Sequence, residues 1–226
     1  MQSHNPWYFG TWSIVARDDT AGMFGVAVTT CLPAVGAVCP HVRAGVGAIS
    51  TQAMTNPYWG HVGLDLLARG DDTERVLAQL CAADGGAAHR QWVGIGRTGP
   101  GVAWTGSETV SWSGHRTGPD YATAGNMLVS EPTIAETERA YVESGNEPLY
   151  ERLMRALEAG QAAGGDKRGR QSAAMRIVGS ETHPVLDLRV DDHADPVAEL
   201  RRLLGVWTSE MLPRLADRPR RADLRL

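Results

Sequence analysis

Residues 11–30 read TWSIVARDDTAGMFGVAVTT. Thr11–Arg17 is rich in β-formers and stops at the turn signal DDTAG, and Phe24–Thr30 answers it, so the pair predicts a β-hairpin. Strand alternation puts Thr11 and Ser13 on one face, with Ile14 and Ala16 on the other. Downstream, Val46–Ala53 predicts a third strand, with side chains apolar and small enough to be buried on both faces. A helix follows Pro57 through Leu64, Leu66 and Leu67. A second runs from Asp71 or Asp72 through Ala82, where Asp72-Thr73-Glu74 supplies an N-cap and a first-turn acid. Strands return at Gln91–Arg97 and Val102–Thr105, with fainter signals at Thr109–Trp112 and Tyr121–Asn126. Helices are expected over Thr133–Ser144 and over Pro148–Ala159, the latter stopped by Gly160. Gln171–Val178 and Val185–Val190 complete the strands, and Asp195-Pro196 opens a last amphipathic helix through Leu204. Paired helices between blocks of hairpin-linked strands predict a layered α+β fold rather than alternating α/β.

The chain has 226 residues, 42% hydrophobic and 21% charged, a composition that folds around a core. Neither a low-complexity linker nor an internal repeat divides it. The expectation is one domain over 1–226: an N-terminal extension (1–10), a core (11–204), and a C-terminal helix with an Arg-rich tail (205–226). The net charge of −4 argues against nucleic acid as a partner. Lys167 is the single lysine, so any chemistry needing that amine rests on it. Cys31, Cys39 and Cys81 form no CxxC element, which argues against a disulfide framework or a zinc knuckle. MQSHNPWYFG at the start lacks the basic and apolar regions of a secretory signal, and no run of about 18 apolar residues could span a membrane. A cytoplasmic protein without a cofactor, acting on a small molecule and able to form a homodimer or higher homo-oligomer, is the expectation.

Several polar segments could carry chemistry. Gly160–Ser172, GQAAGGDKRGRQS, joins a helix to a strand, and its glycines allow consecutive amides to form an anion or oxyanion nest. It is not a phosphate-binding P-loop: counting GxxxxG from Gly160 puts Asp166 where lysine is required. The segment reads equally as a helix cap and surface loop, yet Asp166, Arg168, Gln171 and Ser172 crowd hydrogen-bonding capacity into one bend. Thr11, preceded by Gly10, stands at the head of a strand. Cleavage between them would free an α-amine of pKa about 8 beside a hydroxyl, one way to make a nucleophile and its base. Thr and Ser are also ordinary residues of half-buried strands. Thr51, Gln52 and Asn56 lie where a strand runs into a helix, suited to orienting a polar ligand or to capping. His115 is the candidate acid–base imidazole, and Asn126 is a further polar residue next to a glycine. The acidic run DLRVDDHADP offers Asp187, Asp191, Asp192, His193 and Asp195 either as metal ligands or as a strand end, an Arg189 ion pair and a helix N-cap.

TWSIVARD, GVAVTTCLPAVG, AGVGAISTQAMTNPYWG, ALEAGQAAGGDKRGRQSAAM and DLRVDDHADPVAELRRLL together resemble the bacterial and archaeal domain of unknown function 1028 family, over Thr11 to about Leu204. That family is placed in the N-terminal-nucleophile (Ntn) hydrolase-like superfamily. The resemblance therefore implies a four-layer αββα sandwich of two antiparallel sheets between helix layers. It also implies a Thr, Ser or Cys nucleophile beginning the first core strand, here Thr11 with Ser13 as neighbour or substitute. The activity so implied is hydrolysis of a C–N bond (amide, imide or lactam) in a small molecule. Asn126 or the amides of Gly164 and Gly165 would hold the oxyanion, Asp166 would orient or relay protons, and Arg168 would bind a substrate carboxylate. The expectation is a Thr11 hydroxyl facing an open pocket. The competing expectation is a silent relative that binds a metabolite or serves as an assembly subunit, and a metal-dependent hydrolase on Asp191, Asp192 and His193 is a third.

Overall fold

In the computed structural model, which describes residues 8–223, the hairpin forms the middle of a six-stranded antiparallel sheet. Its strands β2 (Thr11–Asp18) and β3 (Met23–Thr30) pair in the register Thr11↔Thr30. β10 (Ser172–Val178) and then β11 (Leu186–Val190) extend the β3 side. β9 (Tyr121–Gly125) and then β8 (Gly114–Thr117) extend the β2 side. The second antiparallel sheet is built on β5 (Gly47–Met54), which pairs with β1 (Tyr8–Phe9), β4 (Pro40–Arg43) and β6 (Arg90–Gly96). β7 (Val102–Thr105) closes its far edge.

Alternation along β2 sends its side chains to two different cores. Trp12, Ile14 and Ala16 face outward, where α3 (Pro132–Glu143), α4 (Leu149–Ala162) and α5 (Pro196–Glu210) cover them with Ile134, Leu153, Leu157 and Leu200. Val15 faces inward, among Val26, Ala48, Val93, Ile95, Ala122 and Ala124, alanines and β-branched side chains that fill the space between the two sheets. On the far side, α1 (Tyr58–Arg69) and α2 (Thr73–Ala83) pack Trp59, Leu64, Leu67, Val76 and Leu80 against Ile49 and Trp92. The result is a four-layer αββα sandwich of the α+β class. Among the described residues no helix is long and apolar enough to cross a membrane.

The caps read from the sequence form as expected: Asp72 accepts from the Arg75 amide at 2.7 Å, and Asp195 from the Ala198 amide at 3.3 Å. Three elements differ. Gly160 does not stop α4, which runs to Ala162, because a Cβ there would collide with Thr137 and crowd the Trp12 indole; the glycine serves close helix packing instead. Thr109–Trp112 is irregular: the Thr109 hydroxyl bonds the Gly106 carbonyl and Ser113, local partners that compete with a ladder, and the strand starts only at Gly114. The last helix runs past Leu204 to Glu210, burying Trp207. The N-terminal extension lies outside the described residues apart from β1, Gly10 and the backbone that joins them, as do the last three residues of the Arg-rich tail.

Candidate functional site

β2 enters the sandwich through Gly10, and the chain just before it runs as β1 along the end of β5, with Phe9 opposite Ala53. Two donors meet on the Gly10 carbonyl oxygen. Arg168 gives it Nη2–H at 2.7 Å, and the Thr30 hydroxyl, from the residue facing Thr11 across the hairpin, gives it a second, short hydrogen bond. Arg168 is held in turn by Asp166, whose side chain is fully buried. Nη2 lies 2.7 Å from Oδ2, Nε lies 3.1 Å from Oδ1, and the Arg168 and Cys31 amides complete the carboxylate's shell. Such a bidentate, charge-assisted pair fixes the plane of the guanidinium. The bend that carries it is pinned to the segment after β9: Val129 N–H donates to the Gly165 carbonyl and Lys167 N–H to the Met127 carbonyl.

Thr11 itself is wholly buried, and among the described residues its hydroxyl has no hydrogen-bond partner. The expectation of an uncovered oxygen is therefore corrected: Thr11 has no exposed surface, and β1 lies just before it in the chain, paired with the end of β5. The Thr11 carbonyl, by contrast, is heavily engaged, accepting from the Asn126 amide at 3.0 Å, from Gln52 Nε2 at 3.2 Å and from Asn126 Nδ2 at 3.5 Å. Ser13 donates to Gln52 Oε1 at 2.7 Å. Gln52 and Asn126 both donate to Gln91 Oε1, at 2.8 and 3.0 Å, and Gln91 Nε2 reaches the Gly125 carbonyl at 2.8 Å and the Thr105 hydroxyl at 3.0 Å. His115 joins at the rim, Nδ1 lying 2.9 Å from the same Thr105 oxygen; burial lowers its pKa and favours the neutral ring. The whole is a layer of uncharged amides and hydroxyls between the sheets, ending on the Thr11 carbonyl, one peptide beyond the Gly10 carbonyl that Arg168 and Thr30 hold.

Thr11, Ser13, Gln52, Asn126, Asp166 and Arg168 are thus brought together, with His115 at one remove. Other expected residues are not. Gly164 spends its amide on the Gln161 carbonyl, and a Cβ on Gly165 would sit 2.8 Å from the Trp12 ring, on the opposite face of β2 from Thr11. Arg168 grips a backbone carbonyl rather than standing open for a carboxylate. Thr51 alternates away from Gln52 and bonds the Asn56 carbonyl, while Asn56 donates to Asp84. Burial works to raise the Asp84 pKa, but bonds from Arg90, the Gly86 amide and Asn56 outweigh it and leave the carboxyl at about 2, so this is a structural tie under α1. Gln171 points to Asp192 at the surface. The acidic run is used locally: Asp187 faces Arg176, Asp191 pairs with Arg189, and Asp195 meets Arg170 and caps α5. Among the described residues no cluster of three metal-ligating side chains forms. The sequence reading does not include Thr30, Gln91 or Met127. A glutamine next to the apolar run WVGIG is the available signal for Gln91; nothing local marks Thr30 or Met127.

A crystal structure of protein SPO2555 from Silicibacter pomeroyi, itself matched to the DUF1028 family, superposes with a TM-score of 0.81 at 30% identity, over 88% of this chain and 89% of that one. Anbu, the ancestral beta-subunit from Yersinia bercovieri, aligns over 90% of this chain and 97% of that one with a TM-score of 0.41 at 11% identity. No curated relative matches the chain. The model of the Family of unknown function (DUF1028) matches residues 11–200, starting on the threonine that follows the clamped carbonyl, and the chain belongs to that family.

Proposed function

We propose that the chain is the precursor of an Ntn-type hydrolase of C–N bonds in small molecules, with Thr11 as nucleophile, and that its first substrate is its own Gly10–Thr11 bond. One observation carries the reading: the Gly10 carbonyl oxygen receives both a guanidinium N–H from Arg168 and the Thr30 hydroxyl, while the Thr11 hydroxyl beside it has no hydrogen-bond partner among the described residues. Donors aimed at an oxygen that gains charge in the transition state stabilise it, and each is worth about 3–4 kcal/mol in such sites. Attack of Thr11 Oγ1 on the Gly10 carbonyl carbon forms a C–O bond. Collapse breaks the C–N bond, and the hydroxyl proton ends on the Thr11 nitrogen. Water then hydrolyses the ester, leaving a Gly10 carboxylate and a Thr11 that bears a free α-amine of pKa about 8. In turnover the same oxygen attacks a substrate amide, the α-amine carries the proton to the leaving nitrogen, and the acyl ester is hydrolysed.

The buried hydroxyl of the uncleaved chain favours a second reading, a binding or assembly protein that never processes. Intact-mass measurement of purified protein over time separates them. Release of residues 1–10 in wild type but not in Thr11→Ala, followed by turnover in a screen of amides, imides and lactams, supports the hydrolase. A permanently intact N-terminus refutes it.

A further inference from the structure

We propose that the walls around Gly10 also set acyl selectivity, admitting amides whose acyl α-carbon bears no side chain, with N-acylglycyl amides as the substrate class. The inference rests on the hydrolase reading, in which one nucleophile attacks first the Gly10 carbonyl and then a substrate carbonyl held by the same Arg168–Thr30 pair. A Cβ built on Gly10 would lie 2.5 Å from Arg168 Nη2, 2.9 Å from Arg168 Cζ and 2.7 Å from Met127 Sδ, all inside the 3.0 Å that real Cβ atoms respect. An arginine tip usually yields to such a contact, but this one is fixed on Asp166 and on the carbonyl itself. Moving it aside removes the donor the reaction uses. Met127 is the softer wall, since a thioether chain can turn away. Its backbone stays fixed, in the left-handed region at φ 55°, with its amide on Val110 and its carbonyl on Lys167. Arg168 thus ties carbonyl polarisation to rejection of a side chain at the neighbouring carbon, and Met127 sets how strict the rejection is.

Two arms test this. In the first, Gly10→Ala lengthens the half-time of self-cleavage at least tenfold. In the second, processed wild-type enzyme hydrolyses N-acetylglycyl p-nitroanilide at least 100-fold faster, by kcat/KM, than N-acetyl-L-alanyl p-nitroanilide, and Met127→Ala narrows that ratio at least tenfold. The second arm needs no change at Gly10, so misfolding of that variant does not blur the answer. Equal kcat/KM for the two anilides overturns the selectivity and leaves the hydrolase reading standing. Processed enzyme that turns over neither anilide overturns the substrate class alone. An intact N-terminus with no turnover overturns both.

Discussion

Thr11→Val exchanges a hydroxyl for a methyl of nearly the same shape, so the hydrogen-bonding group is removed with little change in volume. The Thr11 hydroxyl is buried without a partner among the described residues, and such a group costs about 1–3 kcal/mol of desolvation that folding never recovers. The variant is therefore expected to be at least as stable as the uncleaved wild type and up to about 2 kcal/mol more stable. For a chain of this size each kcal/mol raises Tm by about 2–4 °C. Ser13, two residues along the same face, gives the opposite case: its hydroxyl donates to Gln52 Oε1 at 2.7 Å, so Ser13→Ala strands a buried acceptor and should lower stability by about 1–3 kcal/mol. Urea unfolding of both variants, with the N-terminus of every sample checked by mass, reads the two signs directly. If Thr11→Val loses 1 kcal/mol or more, the Thr11 hydroxyl has a partner and the idea of an unengaged nucleophile is wrong. The expected combination, gained stability with abolished self-cleavage, marks a side chain kept for chemistry against its own folding preference.

Gln91→Leu removes the acceptor shared by Gln52 and Asn126 and the donor to the Gly125 carbonyl, so a loss of about 2–4 kcal/mol in urea unfolding is expected; a loss under 1 kcal/mol contradicts the network's role. Arg168→Lys replaces a fork with a point charge unable to span Asp166 and the Gly10 carbonyl together, and self-cleavage followed by mass should slow about 10²–10³-fold; an unchanged rate assigns the oxyanion to Thr30 alone. His41 is pushed down to about 4 by burial, with His61 and Arg176 adding in the same direction against a hydrogen bond to the Val38 carbonyl. Its neutral form is then the folded one, so stability is full above pH 6.5 and falls as pH drops from 6.5 through 4, by about 3 kcal/mol in total. His41→Gln should flatten that part of the stability–pH curve, and an unchanged slope would place the protonation elsewhere.

The layers were legible because β2 states its own geometry. Trp12, Ile14 and Ala16 alternate with Thr11, Ser13 and Val15, and each set buries where a period-2 strand sends it. Glycine at 160 misled because a helix stop and a close helix crossing call for the same residue, and only the neighbours Trp12 and Thr137 tell them apart. The site was half legible. Asp166 and Arg168 stood out as polar groups in a glycine-rich bend, but their target was a carbonyl 158 residues away, and sequence carries no such pairing. The nest expected at Gly164-Gly165 was wrong because strand alternation and one amide already spent on Gln161 put it against Trp12, away from Thr11. Gln91 and Thr30 matter through cross-strand register, which periodicity does not specify.

The Asp166–Arg168 pair has a cost that stability does not explain. A carboxylate with no exposed side-chain surface carries a desolvation penalty of several kcal/mol, and well-packed apolar residues often stabilise such a position equally well or better. Here the carboxylate's shell is complete, with two bonds from the Arg168 side chain and two from backbone amides, so the pair is rigid rather than merely tolerated. Its rigidity bears on the Gly10 oxygen, through the guanidinium nitrogen that also touches Asp166. A clamp built only for structure has no need of a charged donor on an ordinary peptide carbonyl, nor of a neighbouring hydroxyl left unpaired. Both features are accounted for if the bond after Gly10 is the one the fold is built to break.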